Sequence, residues 1–158
     1  MTHALIPGSF DPMTKGHLDI IKRARAYYDK VTVAVLINES KTYLLSLEER
    51  TELARLTLQD YPDVEIMSDT GLLVDVFDRV GADVIVKGVR NEVDRVYEEK
   101  MAAYNLERNP KAKTVLWEAA DDYEDLSSTK VRAMIKNGDP LDEVIAPSAL
   151  SYLLSVCK

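Results

Sequence analysis

Val31-Thr-Val-Ala-Val-Leu-Ile37 is an unbroken run of β-branched and apolar side chains. A strand that does not alternate between apolar and polar residues is buried on both faces, as in a parallel sheet covered by helices on either side. Shorter runs of the same kind stand at His3–Ile6, Val64–Met67, Asp83–Val86 and Thr114–Trp117. The segments between them have helical period. Gly16 to Tyr28 gathers Leu18, Ile20, Ile21 and Ala24 on one broad face. Ser46-Leu-Glu-Glu49 is a capping box that opens a helix carrying Leu53, Ala54 and Leu56 inward. Leu72–Val80, Glu92–Glu107, Ser128–Lys136 and Ser148–Val156 continue the pattern, with Gly138 as a stop. Strict alternation of strand and helix implies right-handed crossovers between parallel strands. The expected fold is therefore α/β: a Rossmann-like, doubly wound parallel sheet of about five strands, in one domain over residues 1–158.

Composition agrees with a single core. The chain has 158 residues, 46% hydrophobic and 30% charged, with no repeat or low-complexity tract. Its one cysteine, Cys157, has no internal partner, which favours a reducing compartment. We expect a cytoplasmic protein, because no signal-peptide pattern opens the chain and no apolar stretch nears the roughly 20 residues of a membrane span. A formal net charge of −7 disfavours a nucleic-acid partner. An anionic ligand would need a local basic cluster held against that global field.

In doubly wound sheets ligands sit outside the carboxyl ends of the strands, so the loops that follow the strands carry the chemistry. The first is Pro7-Gly-Ser-Phe-Asp-Pro-Met-Thr-Lys-Gly-His17. Gly8 permits close backbone approach, and Asp11-Pro12 marks a turn. Thr14 and His17 stand three apart at a helix entrance, beside free N–H groups that favour an anion. No Gly-x-x-x-x-Gly-Lys-Ser/Thr occurs, so this is not a P-loop, and the Gly-x-Gly-x-x-Gly of dinucleotide binders is absent from this turn. His3 sits in a strand without companions and reads as structural.

Thr14-Lys-Gly-His17, at its offset from Gly-Ser-Phe-Asp-Pro, resembles the T/H-x-G-H motif of the nucleotidyltransferase superfamily. Further motifs narrow the likeness to phosphopantetheine adenylyltransferases: Ser40-Lys41 followed by Leu47-Glu-Glu-Arg50, Gly71-Leu-Leu-Val74, Val86-Lys-Gly-Val-Arg90, Tyr97-Glu98 with Met101 and Asn105, and Leu126-Ser-Ser-Thr-Lys-Val-Arg132. The likeness runs over essentially the whole chain. It implies transfer of the adenylyl group of ATP to 4′-phosphopantetheine, giving 3′-dephospho-coenzyme A and pyrophosphate.

The resemblance also implies site residues. Ser9 and Phe10 contact both substrates through the first loop, and His17 lies against the triphosphate as a transition-state stabiliser. Lys41, Leu73 and Lys87 serve the acceptor, with Lys41 on its phosphate and Leu73 along the pantetheine arm. Gly88, Val89, Arg90 and Glu98 line the ATP side, and Tyr123, Glu124, Asp125, Leu126, Ser127, Ser128 and Thr129 wrap the nucleotide. Lys41 and Arg90 join His17 as catalytic candidates. Magnesium is expected on the nucleotide's phosphates, without named protein ligands. The resemblance further implies a hexamer.

The residue types fit this chemistry independently. A phosphate monoester has a second pKa of about 6 and is already a nucleophile at neutral pH, so no general base is needed. The reaction needs two polyanions aligned and charge neutralised on the α-phosphate, and Lys41, Lys87, Arg90, Lys130 and Arg132 with His17 can supply the local cluster. Lys130 and Arg132 have the alternative of decorating a helix, and Ser127, Ser128 and Thr129 that of an N-cap. Lys87 stands where the family usually has Arg, a point charge in place of a planar fork, and Asp121-Asp-Tyr-Glu-Asp125 is more acidic than the usual stretch. The rival readings are transfer to another phosphate acceptor, such as nicotinamide mononucleotide or glycerol phosphate, a non-catalytic nucleotide sensor on the same fold, and a tRNA-binding relative, which length and acidity disfavour.

Overall fold

The computed structural model describes residues 2–38 and 40–157. Five strands, β1 (His3–Gly8), β2 (Lys30–Leu36), β3 (Glu65–Asp69), β4 (Val84–Val89) and β5 (Thr114–Glu118), form one parallel sheet in the order β3-β2-β1-β4-β5. Six helices accompany them: α1 (Lys15–Tyr27), α2 (Leu47–Thr57), α3 (Leu73–Val80), α4 (Glu92–Arg108), α5 (Ser128–Asn137) and α6 (Pro147–Val156). The expected α/β architecture is therefore the observed one. Val31 to Val35 are all buried, as their unbroken run requires.

Helix boundaries follow local chemistry. Ser46 and Glu49 form the predicted capping box on α2: the Glu49 N–H donates to Ser46 Oγ at 3.1 Å, and the Ser46 N–H to Glu49 Oε1 at 2.9 Å. α3 and α5 stop where Gly81 and Gly138 take φ of 73° and 74°, the left-handed conformation that glycine accepts without strain. The segment 121–123, unassigned in the sequence, is a single 3₁₀ turn.

Four strands run further than expected at their carboxyl ends, β3 to Asp69 and β5 to Glu118 among them, and the other two bear on the site. β4 continues through Lys87, Gly88 and Val89, because β5 pairs with it as far as Val89↔Glu118. Lys87 is thus a strand residue rather than the first residue past the strand. β1 continues through Pro7 on its β2 side as far as Gly8↔Val35, but its pairing with β4 ends at Leu5↔Ile85. Proline has no N–H to give a ladder, so Pro7 is tolerated where one side is unpaired. β1 and β4 are also where the strand order reverses. The sheet opens there, at its carboxyl end, into the crevice where such folds bind ligands.

α4 departs from the expected inward-facing pattern. Asn105 is its one buried residue, while Val93, Val96, Tyr97, Met101, Tyr104 and Leu106 are exposed. α6 packs internally through Ala149 and Leu153. It shares a cluster with Leu45, Leu53, Leu126, Val131 and Ile145. Each buried Leu, Ile or Val of that cluster contributes about 1.5–3 kcal/mol. Leu45 and Leu126 close the loops after β2 and β5, so the C-terminal helices anchor two loops of the crevice.

Candidate active site

Thr14 is the N-cap of α1 and binds His17 by a reciprocal arrangement. The His17 N–H donates to Thr14 Oγ1 at 3.4 Å, and the Thr14 N–H donates to His17 Nδ1 at 2.9 Å. A nitrogen that accepts from a backbone N–H carries no proton, so the neutral ring bears its hydrogen on Nε2. Burial, reinforced by the positive charges of Lys87 and Arg90, lowers the His17 pKa from 6.5 to about 4. His17 is therefore a neutral hydrogen-bond donor at neutral pH. Lys87 and Arg90 act on the same point, which makes them and His17 one electrostatic unit.

The Phe10 ring meets the imidazole edge to face, with centroids 5.1 Å apart. Phe10 has φ 49° and is 5% exposed. Its side chain packs inside the loop, which leaves its backbone as the part that a ligand can meet. The room at Gly8 is also taken by protein: a Cβ there would stand 2.8 Å from Phe10 Cζ. The glycine expected to admit a ligand admits the Phe10 ring instead. Gly16 lies close to Tyr123 and Leu126, where an added Cβ would meet side-chain atoms at 3.6 and 3.7 Å, so the loop after β5 rests on the start of α1.

Beyond the β1–β4 opening, Lys87 Nζ lies 3.4 Å from the Glu98 carboxylate. Both line a small cavity with Leu73, Tyr97, Met101 and Asn105, between β4 and α4. The fold thus brings Leu73 and Lys87, expected on the acceptor side, together with Glu98, expected on the ATP side. Arg90 pairs with Asp94 at 2.9 Å, in the first turn of α4, and its backbone N–H also donates to that carboxylate. Gly88 allows α1 to pack down on β4, since a Cβ there would lie 3.0 Å from Ile20 Cγ1.

The Ser-rich loop is largely engaged by its own helix. Ser127 Oγ accepts from the Lys130 N–H at 3.0 Å as the N-cap of α5. Ser128 Oγ donates to the Pro12 carbonyl at 2.9 Å. Arg132 donates to the Asp11 carbonyl at 2.9 Å and to Thr129 Oγ1 at 3.0 Å. Glu124, Asp125, Thr129 and Lys130 are exposed, as is Lys41 in the loop after β2. Ser9 and Val89 lie at the carboxyl ends of β1 and β4.

Two charged residues organise these loops, and sequence reasoning gave neither a site role. Asp11, 2% exposed, accepts the N–H groups of Leu44 and Leu45 at 2.8 and 3.0 Å. Arg50, 1% exposed, donates to the carbonyls of Ser9, Leu36 and Leu45 at 2.8, 3.0 and 3.3 Å. The available signal was a charge at an inward position: Arg50 stands three residues before Leu53 on the apolar face of α2.

A cytidylyltransferase-like family model matches residues 5–134. Among curated proteins, the phosphopantetheine adenylyltransferase of Clostridium tetani is 39% identical over 158 residues, covering 100% of this chain and 97% of the relative. That of Caldanaerobacter subterraneus subsp. tengcongensis is 42% identical over 158 residues, covering 100% and 99%. This chain belongs to the phosphopantetheine adenylyltransferase family. A solved structure of a candidate nicotinate-nucleotide adenylyltransferase from Vibrio parahaemolyticus superposes with a TM-score of 0.71 at 18% identity, over 98% of this chain and 93% of that one. That likeness speaks to the fold, which this family shares with other nucleotidyltransferases. Among the described residues, no three His, Cys, Asp or Glu side chains gather where they could hold a metal ion, and no helix is long and apolar enough to cross a membrane.

Proposed function

We propose that this chain transfers the adenylyl group of ATP to the phosphate of 4′-phosphopantetheine, releasing pyrophosphate and 3′-dephospho-coenzyme A. Family membership supports the reaction. The observation that carries the mechanism is the neutral, Nε2-protonated His17 at the start of α1, beside the β1–β4 opening.

The acceptor's phosphate oxygen attacks the α-phosphorus of ATP. One P–O bond forms, the bond to the β-phosphate oxygen breaks, and pyrophosphate leaves with the electron pair. No proton need move, because the attacking phosphate is ionised at neutral pH. His17 donates through Nε2–H to the α-phosphate oxygens as their charge grows, with Arg90 beside it. Lys41 binds the acceptor phosphate, Leu73 the pantetheine arm, and Lys87, held ready by Glu98, reaches the acceptor. Ser9 and the Phe10 backbone meet both substrates. Gly88, Val89, Glu98 and the loop 123–129 bound the nucleotide.

Magnesium belongs to the proposal as an ion carried by the triphosphate, whose oxygens commonly hold it with few protein ligands. A cytoplasmic location and a homo-oligomer, hexameric by family resemblance, belong to it too. The exposed apolar residues of α4 support assembly.

A panel of acceptors tests the reading. With ATP and magnesium, pyrophosphate release should require 4′-phosphopantetheine. Turnover with nicotinamide mononucleotide or glycerol phosphate in its place would assign the chain to a different acceptor.

A further inference from the structure

We propose that Asp11 and Arg50 form a reciprocal clasp that fixes the loop carrying Lys41 against the loop carrying Ser9 and Phe10, and that both are positioning residues for the attack. The proposal rests on the adenylyl-transfer reading above. Both side chains are almost wholly buried. Burying a charge is costly, and an apolar pair of similar volume often serves stability as well or better. What an apolar pair cannot do is hold polar backbone atoms of separate segments in register.

The two cross-links run in opposite directions. Asp11 reaches from the loop after β1 to the N–H groups of Leu44 and Leu45 in the loop after β2. Arg50 reaches back from α2 to the Ser9 carbonyl. The same guanidinium holds the Leu36 and Leu45 carbonyls, which are the two ends of the Lys41 loop. It also lies 4.0 Å from the centre of the Tyr43 ring. The Tyr43 hydroxyl in turn accepts the Asn38 N–H at 2.6 Å, so the loop is tied to the guanidinium along its length as well as at its ends. Arg132 and Ser128 add α5 to the assembly through the carbonyls of Asp11 and Pro12.

Neither clasp residue touches the reacting atoms. Their effect is the separation between Lys41, on the acceptor phosphate, and His17, on the nucleotide. In a reaction that depends on aligning two polyanions, a displacement of about 1 Å can cost 10²-fold in rate. Loosening the clasp should therefore reduce turnover more than it reduces binding of either substrate alone.

The test compares wild type with Arg50→Lys, Arg50→Met, Tyr43→Leu and Asp11→Asn. Arg50→Lys is expected to lower kcat about 10- to 100-fold, and Arg50→Met further, while ATP affinity measured alone by calorimetry shifts less than about threefold. Tyr43→Leu leaves both buried charges in place and decides the matter if the Arg50 variants do not fold: kcat should fall about tenfold with ATP affinity preserved. Values of kcat within about twofold of wild type in the folded variants, or ATP affinity falling in step with kcat, would overturn the clasp. A wild type that forms no product with 4′-phosphopantetheine contradicts the adenylyl-transfer reading instead. The clasp is then judged by hydrogen exchange at the Leu44 and Leu45 amides. Loss of their protection in Asp11→Asn upholds the link, and unchanged protection refutes it.

Discussion

The backbone N–H of Thr14 donates to Nδ1 of His17 at 2.9 Å, and this bond decides which nitrogen of the imidazole carries the proton. A general base would need the opposite: a free lone pair and a pKa near neutrality. His17 has a donor and a pKa lowered to about 4.

In the ligand-free protein, nitrogen NMR of His17 should show the Nε2–H tautomer at pH 7 and a midpoint near 4. The sign of the stability effect follows. Between 6.5 and about 4 the unfolded chain takes a proton that the folded chain refuses, so this group lowers stability as pH falls through that window, and has no effect above it. His17→Gln should lose less stability than wild type over the same interval. A midpoint near 6.5 would remove the basis for both statements.

Lys87 is a cause of the low His17 pKa, so Lys87→Met should raise the His17 midpoint toward its ordinary value. The same variant should raise the acceptor KM at least about tenfold, as expected for loss of a charged contact. An unmoved midpoint would mean that Lys87 does not contribute to it, and an unmoved KM that Lys87 does not serve the acceptor. Lys87→Arg should preserve the direction of the charge effect.

Gly8→Ala forces a Cβ to within 2.8 Å of Phe10 Cζ. The Phe10 ring is buried against His17, so it cannot swing out freely. The expected cost is about 1–3 kcal/mol, a fall of several degrees in Tm, together with reduced turnover as His17 loses its neighbour. A variant of unchanged Tm and activity would show that the loop adapts at no cost.

Much of this was legible in the residues. The run from Val31 to Ile37 announced a doubly buried strand, and the Ser46–Glu49 box and Gly138 announced helix ends, because these signals are local. That Thr14 and His17 would stand together at a helix entrance was legible in the same way. What could not be read was tertiary. Lys87 lies within β4 because β5 pairs beyond it, and no local signal records that pairing. Gly8 reads as space for a ligand until the Phe10 ring is seen to fill it. Arg50 reads as a polar residue on a helix until three carbonyls from the loops after β1 and β2 are found around it. The outward-facing apolar residues of α4 are likewise invisible to periodicity, which reports that a face exists and not what covers it.

The decisive measurement is pyrophosphate release from ATP and magnesium, with and without 4′-phosphopantetheine, for wild type and His17→Ala. Release should require the acceptor and fall about 10²- to 10³-fold in kcat in the variant, with ATP still bound. Acceptor-dependent release that survives His17→Ala undiminished would contradict the role assigned to the Nε2–H donor.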